Sequence, residues 1–412
     1  MNLAWLSVGA LVVAVTVSCT TTINVGILSM ALALAVGVFL GGMTPAAVLR
    51  GFPADLLVTL IGVTLLFAIA EVNGTLERLT ARAVRACRGH AGALPMMFFV
   101  VGFVVSTIGA GATPASALLA PPAMAVAARA GIPPLLMAVM AGNGALAGTL
   151  SPFAPTGIVA HGVMARIGLE GVVARTFAYN ALAHAFVGIG GFLLLGGWRL
   201  FGRGAVRASA DERVLPFERA HWITTAGIAV LIVSVAGFGF DTGMMALIVS
   251  AVLILLRAAD ESRAIQRMPW GVMLMVTGVT VLIALMQSAQ GLDLITGAIA
   301  ALSTPATIAP VVAFGSGVVS VYSSTSGVVL PAFLPMAPEL AKRLGGLDPL
   351  GIAWSINIGA SLVDLSSLST VGALFIAGAA PGTDSRALFN GLLAWGLAMA
   401  VVGAALCWLF FA

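Results

Sequence analysis

Apolar residues fill this chain in long blocks separated by short polar joints. The blocks predict ten membrane-crossing helices, over residues 3–18, 24–41, 54–71, 134–164, 174–197, 221–239, 243–257, 270–289, 349–380 and 387–411. Most are long enough to cross about 30 Å of hydrocarbon as helix. The alternation expected of strands is absent, which argues against a barrel. Two further apolar stretches, 93–128 and 306–341, are interrupted near their middles. The interruptions run Ser106-Thr107-Ile108-Gly109-Ala110-Gly111-Ala112-Thr113-Pro114 and Ser320-Val321-Tyr322-Ser323-Ser324-Thr325-Ser326-Gly327. Each half-stretch has about 14 residues, or about 21 Å of helix. That is too short to cross, so both stretches are predicted to enter the membrane partway and turn back.

The same sequence signs recur at a nearly constant distance. Gly62-Val63-Thr64-Leu65-Leu66 matches Gly278-Val279-Thr280-Val281-Leu282, and Leu76-Glu77 falls on Leu292-Asp293, at an offset of 216. Val104-Val105-Ser106 matches Val318-Val319-Ser320, and Pro121 matches Pro335, at 214. Pro134-Leu135, Gly144-Ala145, Ser151 and Gly157 match Pro349-Leu350, Gly359-Ala360, Ser366 and Gly372 at 215. Each half holds five crossings, an odd number, so the halves are expected to insert with opposite orientation, and such proteins place their sites near the midplane at the repeat interface. The expected fold is an all-α polytopic membrane protein of two inverted five-span repeats, 1–200 and 221–412. Each has a re-entrant hairpin and a broken crossing (134–164 and 349–380), and a cytoplasmic linker over 201–220 joins them.

Charge sets the expected orientation. With the Arg78, Arg82, Arg85 and Arg88 loop in the cytoplasm, 14 of the 19 basic residues fall inside. Arg50, Arg166, Arg175, Lys342 and Arg343 stay outside, as do both termini. The net charge of +4 therefore reflects topology and does not point to nucleic acid. The apolar share of 60% and charged share of 8% rule out a soluble domain of this length. Cys19, Cys87 and Cys407 have no metal or redox spacing and are expected as free thiols. Leu3 to Val17 is apolar, but no Lys or Arg precedes it. Thr16 stands where a lipoprotein cleavage site has Leu, so the segment is expected to remain as the first span.

Chemistry concentrates in the two hairpin tips and two predicted breaks, Ala141–Pro152 and Asn357–Ser367. Gly and Pro there free backbone groups that cost several kcal/mol each in hydrocarbon unless satisfied. Cations satisfy carbonyls, anions satisfy N–H groups at half-helix N-termini, and Ser or Thr hydroxyls serve either. Asp364 is an ionisable group at membrane depth, which is rare and usually functional. It can ligate Na⁺, carry a proton or pair with a distant Arg. Its repeat partner is Thr149. Asn143 and Asn357 are open between ligand and interhelical hydrogen bond. His161 and His184 lack a metal-ligand partner and are expected to pack. Glu71 and Asp241 fall at span ends and are expected to be solvated. Arg78, Arg82 and Arg85 share one face of a surface helix expected to touch anionic lipid heads. No Ser/His dyad, paired Asp or metal-binding His motif suggests an enzyme.

The plan of inverted five-span repeats, with Ile23-Asn24-Val25-Gly26-Ile27-Leu28 and Gly109-Ala110-Gly111-Ala112-Thr113-Pro114, resembles the divalent-anion:sodium symporter family of the ion-transporter superfamily. It is most similar to the malonate/dicarboxylate carrier-like branch. That resemblance implies an elevator-type secondary transporter in the inner (plasma) membrane. It would form a homodimer, require no cofactor or transition metal, and carry a small organic anion such as malonate or a C4 dicarboxylate. The family's tip signature, Ser-Asn-Thr about ten residues before a Pro, leads back from Pro121 to Gly111-Ala112-Thr113 and from Pro335 to Thr325-Ser326-Gly327. Neither tip has the Asn. The expected substrate set is Ala112, Thr113, Thr156, Ser323, Ser324, Thr325, Ser326 and Thr370. The expected set for the coupling ion, Na⁺ or H⁺, is Ser106, Gly111, Asn143, Gly148, Gly359 and Asp364. The competing expectation is a cation/proton antiporter with Asp364 as the carrier.

Overall fold

A computed structural model describes residues 2–21, 23–86, 91–202 and 216–412, without the side chains of residues 18, 19 and 83–86. Arg88, Arg203, Arg207, Arg213 and Cys87, the side chains of Cys19 and Arg85, and most of the 201–220 linker lie outside the described residues. The described residues form helices and no strand. The first half contains α1 (Leu3–Thr20), α2 (Val25–Leu34), α3 (Pro45–Leu49), α4 (Ala54–Val72), α5 (Thr75–Ala86), α6 (Ala93–Val105), α7 (Ala112–Ala130), α8 (Pro134–Ala147), α9 (Pro155–Arg166) and α10 (Val173–Leu194). The second contains α11 (Arg219–Phe238), α12 (Thr242–Leu255), α13 (Glu261–Arg267), α14 (Trp270–Ser288), α15 (Gly291–Ala301), α16 (Ile308–Tyr322), α17 (Leu330–Phe333), α18 (Ala337–Arg343), α19 (Pro349–Leu362), α20 (Thr370–Ala377) and α21 (Ser385–Phe411).

Each predicted crossing coincides with one helix or a broken pair. Among the described residues, seven segments are long and apolar enough to cross a membrane by length and composition. One of them is Ala93–Ala110, which the sequence reading treats as the first arm of a hairpin. Its end is a turn: Gly109 has φ +126° and Gly111 φ +80°, conformations that only glycine adopts freely. Both arms, α6 and α7, then pack on the amphipathic helix α5, so the two ends of this hairpin lie at one level. The second hairpin turns through extended backbone at Ser323 and Ser324. Its return arm is built of short turns around Pro331, Pro335 and Pro338, and ends where Arg343 pairs with Asp293 of α15 at 3.8 Å.

The breaks in the crossings are shorter than predicted. α8 is unbroken to Ala147 and α19 to Leu362, so Gly142, Asn143 and Gly144, like Asn357 and Gly359, lie inside intact helix. These glycines serve close packing instead. A Cβ on Gly144 would stand 2.2 Å from the Phe99 carbonyl, and one on Gly359 2.2 Å from the Ala313 carbonyl. Bare backbone lets α6 lie on α8 and α16 on α19, the contact that small residues provide where no hydrophobic force separates helix from lipid. The true breaks hold the same local device twice. The Ser151 hydroxyl accepts from the Phe153 N–H and the Ser366 hydroxyl from the Leu368 N–H.

Packing sorts the helices into two groups. α1–α4 and α11–α14 form one, in which α2 lies on α14 and α4 on α12. The hairpins, broken crossings, α10 and α21 form the other. They meet where α4 touches α9 and where α14 touches the second hairpin, and an Arg166–Asp55 ion pair spans that seam. The surface arginines are engaged differently from expectation. Arg82 lies over the Phe217 ring at 3.7 Å, and Arg78 donates to the Pro216 carbonyl and pairs with Glu218 at 3.9 Å. The segment entering α11 occupies them, because a guanidinium beside an aromatic face and a carboxylate finds both partners within the protein. Glu71 pairs with Arg267 at 3.5 Å, and exposed Asp241 caps α12.

Candidate functional site

A cavity of about 280 Å³ opens where the hairpin tips and the two breaks converge. Its wall contains all eight residues expected for the substrate: Ala112, Thr113, Thr156, Ser323, Ser324, Thr325, Ser326 and Thr370. Four helix starts supply all but Ser323, which follows the end of α16. Ala112 and Thr113 open α7, Thr156 lies in the first turn of α9, and Thr370 opens α20. Thr325 and Ser326 open the return arm of the second hairpin, capped by Ser324. The first turn of a helix carries N–H groups that no helix carbonyl can take, and its dipole end is positive. Leu146, Val321 and Tyr322, also in the wall, stand at the opposite, carbonyl-bearing ends of α8 and α16. The cavity thus receives both kinds of helix terminus.

Among the described residues no Lys, Arg or His lines the cavity, and Asp364 is its one acidic side chain. Thr325 Oγ1 donates to Asp364 Oδ1 at 2.6 Å, with Ser320 Oγ 2.5 Å from Thr325 Oγ1 and 3.4 Å from Asp364 Oδ1. This Ser320–Thr325–Asp364 cluster joins α16, the return arm and the second break. The backbone is fixed from behind: Ser369 donates to the Asp364 carbonyl and caps α20 through the Gly372 N–H. Thr149, the counterpart of Asp364 at an offset of 215, also lines the cavity. In the first half the positions matching Ser320 and Thr325 at 214 are Ser106 and Gly111, so that cluster has no equivalent there.

Of the six residues expected for the coupling ion, only Asp364 borders the cavity. Ser106 is buried with an unpartnered hydroxyl. Gly148 is where the first break presses on the first hairpin, since a Cβ there would lie 2.7 Å from the Thr107 nitrogen. Gly111 makes the hairpin turn, and Gly359 packs on α16. Asn143 lies outside the cavity wall, where Nδ2 donates to the Val139 carbonyl and Oδ1 faces His184 Nδ1 at 3.0 Å. Asn357 Nδ2 goes to the Ala353 carbonyl of its own helix, while its Oδ1 is buried without a partner. His161 Nε2 lies 3.0 Å from the Leu150 carbonyl and ties α9 to the break. Ser369 and Tyr322 were not singled out from the sequence. Ser369 had a usable sign, a serine directly before a helix start, whereas Tyr322 had none.

Residues 1–149 match the family model of the dicarboxylate carrier protein MatC N-terminus. No curated protein matches the sequence. Among solved structures, the Alcanivorax borkumensis YdaH transporter is similar over 91% of this chain and 88% of its own, with a TM-score of 0.59 at 15% sequence identity. Over most of its length this chain therefore has the fold of a solved transporter, and its first 149 residues carry the pattern of a dicarboxylate carrier's N-terminal part.

Proposed function

We propose that the protein is a secondary active transporter that moves a small organic anion, a dicarboxylate such as malonate or a C4 acid, together with Na⁺ or H⁺. The observation that carries this reading is the convergence of four helix starts on one cavity without a basic side chain. Aligned N–H groups and hydroxyls hold carboxylates without the standing positive charge that would retain them. Asp364 opposes an anion until a cation or proton offsets its charge, which is the physical basis for coupling. The match of residues 1–149 to a dicarboxylate carrier model supports the substrate class. In this reading residues 1–200 and 221–412 are halves inserted with opposite orientation, with both termini outside. The hairpins are re-entrant, and the group containing the cavity slides as one body along α4 and α14, each protomer of a homodimer acting alike.

The test is thermal stability of the purified protein across malonate, C4 dicarboxylates, citrate and sulfate, with Na⁺ or K⁺ at two pH values. A ligand at about 100 times its dissociation constant stabilises by about 2.7 kcal/mol. Stabilisation by a dicarboxylate that needs Na⁺, or that needs low pH, supports the coupled carrier and names the ion. Asp364 favours one competing reading, a cation/proton antiporter. A response to Na⁺ or pH with no response to any anion would replace the carrier by that exchanger.

A further inference from the structure

Behind the cavity lies a buried polar network that the transport reading does not use. His184, fully buried on α10, faces Asn143 Oδ1 of α8 through Nδ1 at 3.0 Å and Ser361 Oγ of α19 through Nε2 at 3.4 Å. Asn180, one turn earlier on α10, donates through Nδ2 to the Leu146 and Ala147 carbonyls at 3.1 and 3.2 Å. Its Oδ1 accepts from Ser361 Oγ at 2.7 Å.

The directions of these bonds are fixed by their ends. Asn143 Nδ2 is committed to the Val139 carbonyl, so Oδ1 must accept and His184 must carry its proton on Nδ1. Asn180 Nδ2 is committed to two carbonyls, so its Oδ1 takes the Ser361 proton. α8 and α19 contain no titratable side chain. With the Ser361 proton given to Asn180 and the His184 proton on Nδ1, no proton lies between His184 Nε2 and Ser361 Oγ, so Asn180 carries the tie to α19 and His184 the tie to Asn143 of α8. Leu146 and Ala147 close α8, where carbonyls run out of helix donors, and Leu146 also lines the cavity. Ser361 stands one residue before the end of α19 and three before Asp364. One helix therefore fastens both broken crossings at the ends that face the site.

We propose that Asn180 and His184 are positioning residues for the cavity. Asn180 holds the ends of α8 and α19 in register and engages the Leu146 and Ala147 carbonyls away from the space an anion would occupy, and His184 fixes α8 through Asn143. The proposal rests on the carrier reading for its consequence, anion affinity, and on the network alone for its structural part. Freed carbonyls would repel a carboxylate and weaken its binding, while the movement of the loaded body would be little changed.

The experiment uses the full-length protein as wild type, Asn180→Leu, His184→Leu and the milder His184→Asn, which keeps an amide donor. Deuterium exchange is followed over 148–154 and 363–369, and malonate uptake is measured in proteoliposomes. Exchange is expected to rise in both breaks together for Asn180→Leu, and over 148–154 alone for His184→Leu. KM is expected to rise about tenfold, the equivalent of about 1.4 kcal/mol, with Vmax within about twofold and His184→Asn closer to wild type. A rise confined to one break in Asn180→Leu, no rise over 148–154 in His184→Leu, or a fall in Vmax at constant KM overturns the proposal. If Asn180→Leu fails to purify, the His184 pair decides. Exchange needs no substrate, so absence of uptake of malonate and of C4 dicarboxylates in the wild type sinks the carrier reading while the exchange result still judges the positioning.

Discussion

Thr325 is the residue on which the cavity's charge depends most directly. Its hydroxyl donates to Asp364 Oδ1 at 2.6 Å and lies 3.4 Å from the Ala360 carbonyl. Thr325→Val keeps the shape and removes the donor. A hydrogen bond to a charged group contributes about 1.5–3 kcal/mol, so the variant is expected to lose about tenfold or more in apparent affinity for the coupling ion while folding normally. Titrating uptake against Na⁺ or pH checks it. Asp364→Asn removes the charge itself, and is expected to leave substrate binding insensitive to Na⁺ and pH, as read by ligand-dependent melting. The hydroxyl-rich tips and Asp364 were legible because polar atoms are conspicuous in apolar stretches. Asn143 was misread for the converse reason. An amide that satisfies itself on the carbonyl four residues back looks, in sequence, like one free to bind an ion.

At the scale of helices, glycine carried two meanings that the sequence does not separate. Gly109 and Gly111 turn the chain, whereas Gly144 and Gly359 leave room for a neighbouring backbone. Both kinds look like weak points in a helix, so the predicted breaks began several residues too early. Spans were legible because hydrocarbon demands long apolar helices. Break edges were not, because a tertiary contact decides whether a glycine bends or packs. Gly144→Ala or Gly359→Ala would press a methyl group into a carbonyl of the adjoining helix. Each is expected to destabilise by about 3 kcal/mol, seen as a lower melting temperature and a loss of monodisperse protein. Ala117→Gly, on the half-exposed face of α7, serves as the control, with a cost of about 1 kcal/mol.

For the whole molecule, the decisive question is whether the two packing groups move past each other. The Arg166–Asp55 pair lies across their seam. With Cys19, Cys87 and Cys407 replaced by Ser, Asp55→Cys with Arg166→Cys is expected to be joined by a short, reducible bifunctional thiol cross-linker that stops uptake, and reduction is expected to restore it. Uptake that persists in the fully cross-linked protein would exclude sliding at this seam. The packing inside the first group bears on something else, how the chain is made. α2 is seated against α14 so closely that a Cβ on Gly26 would stand 1.9 Å from the Leu274 carbonyl, and one on Gly278 1.9 Å from the Gly26 carbonyl. α4 meets α12 at Gly62 and Gly243 in the same way. At a synthesis rate of about 5–20 residues per second, α2 waits roughly 12–50 seconds for its partner to leave the ribosome. During that interval the first half holds glycine-rich faces with nothing seated on them. Biogenesis therefore requires either that the nascent half be shielded in the bilayer or that halves from different chains be kept apart, and two separately expressed halves should assemble with each other in preference to surviving alone.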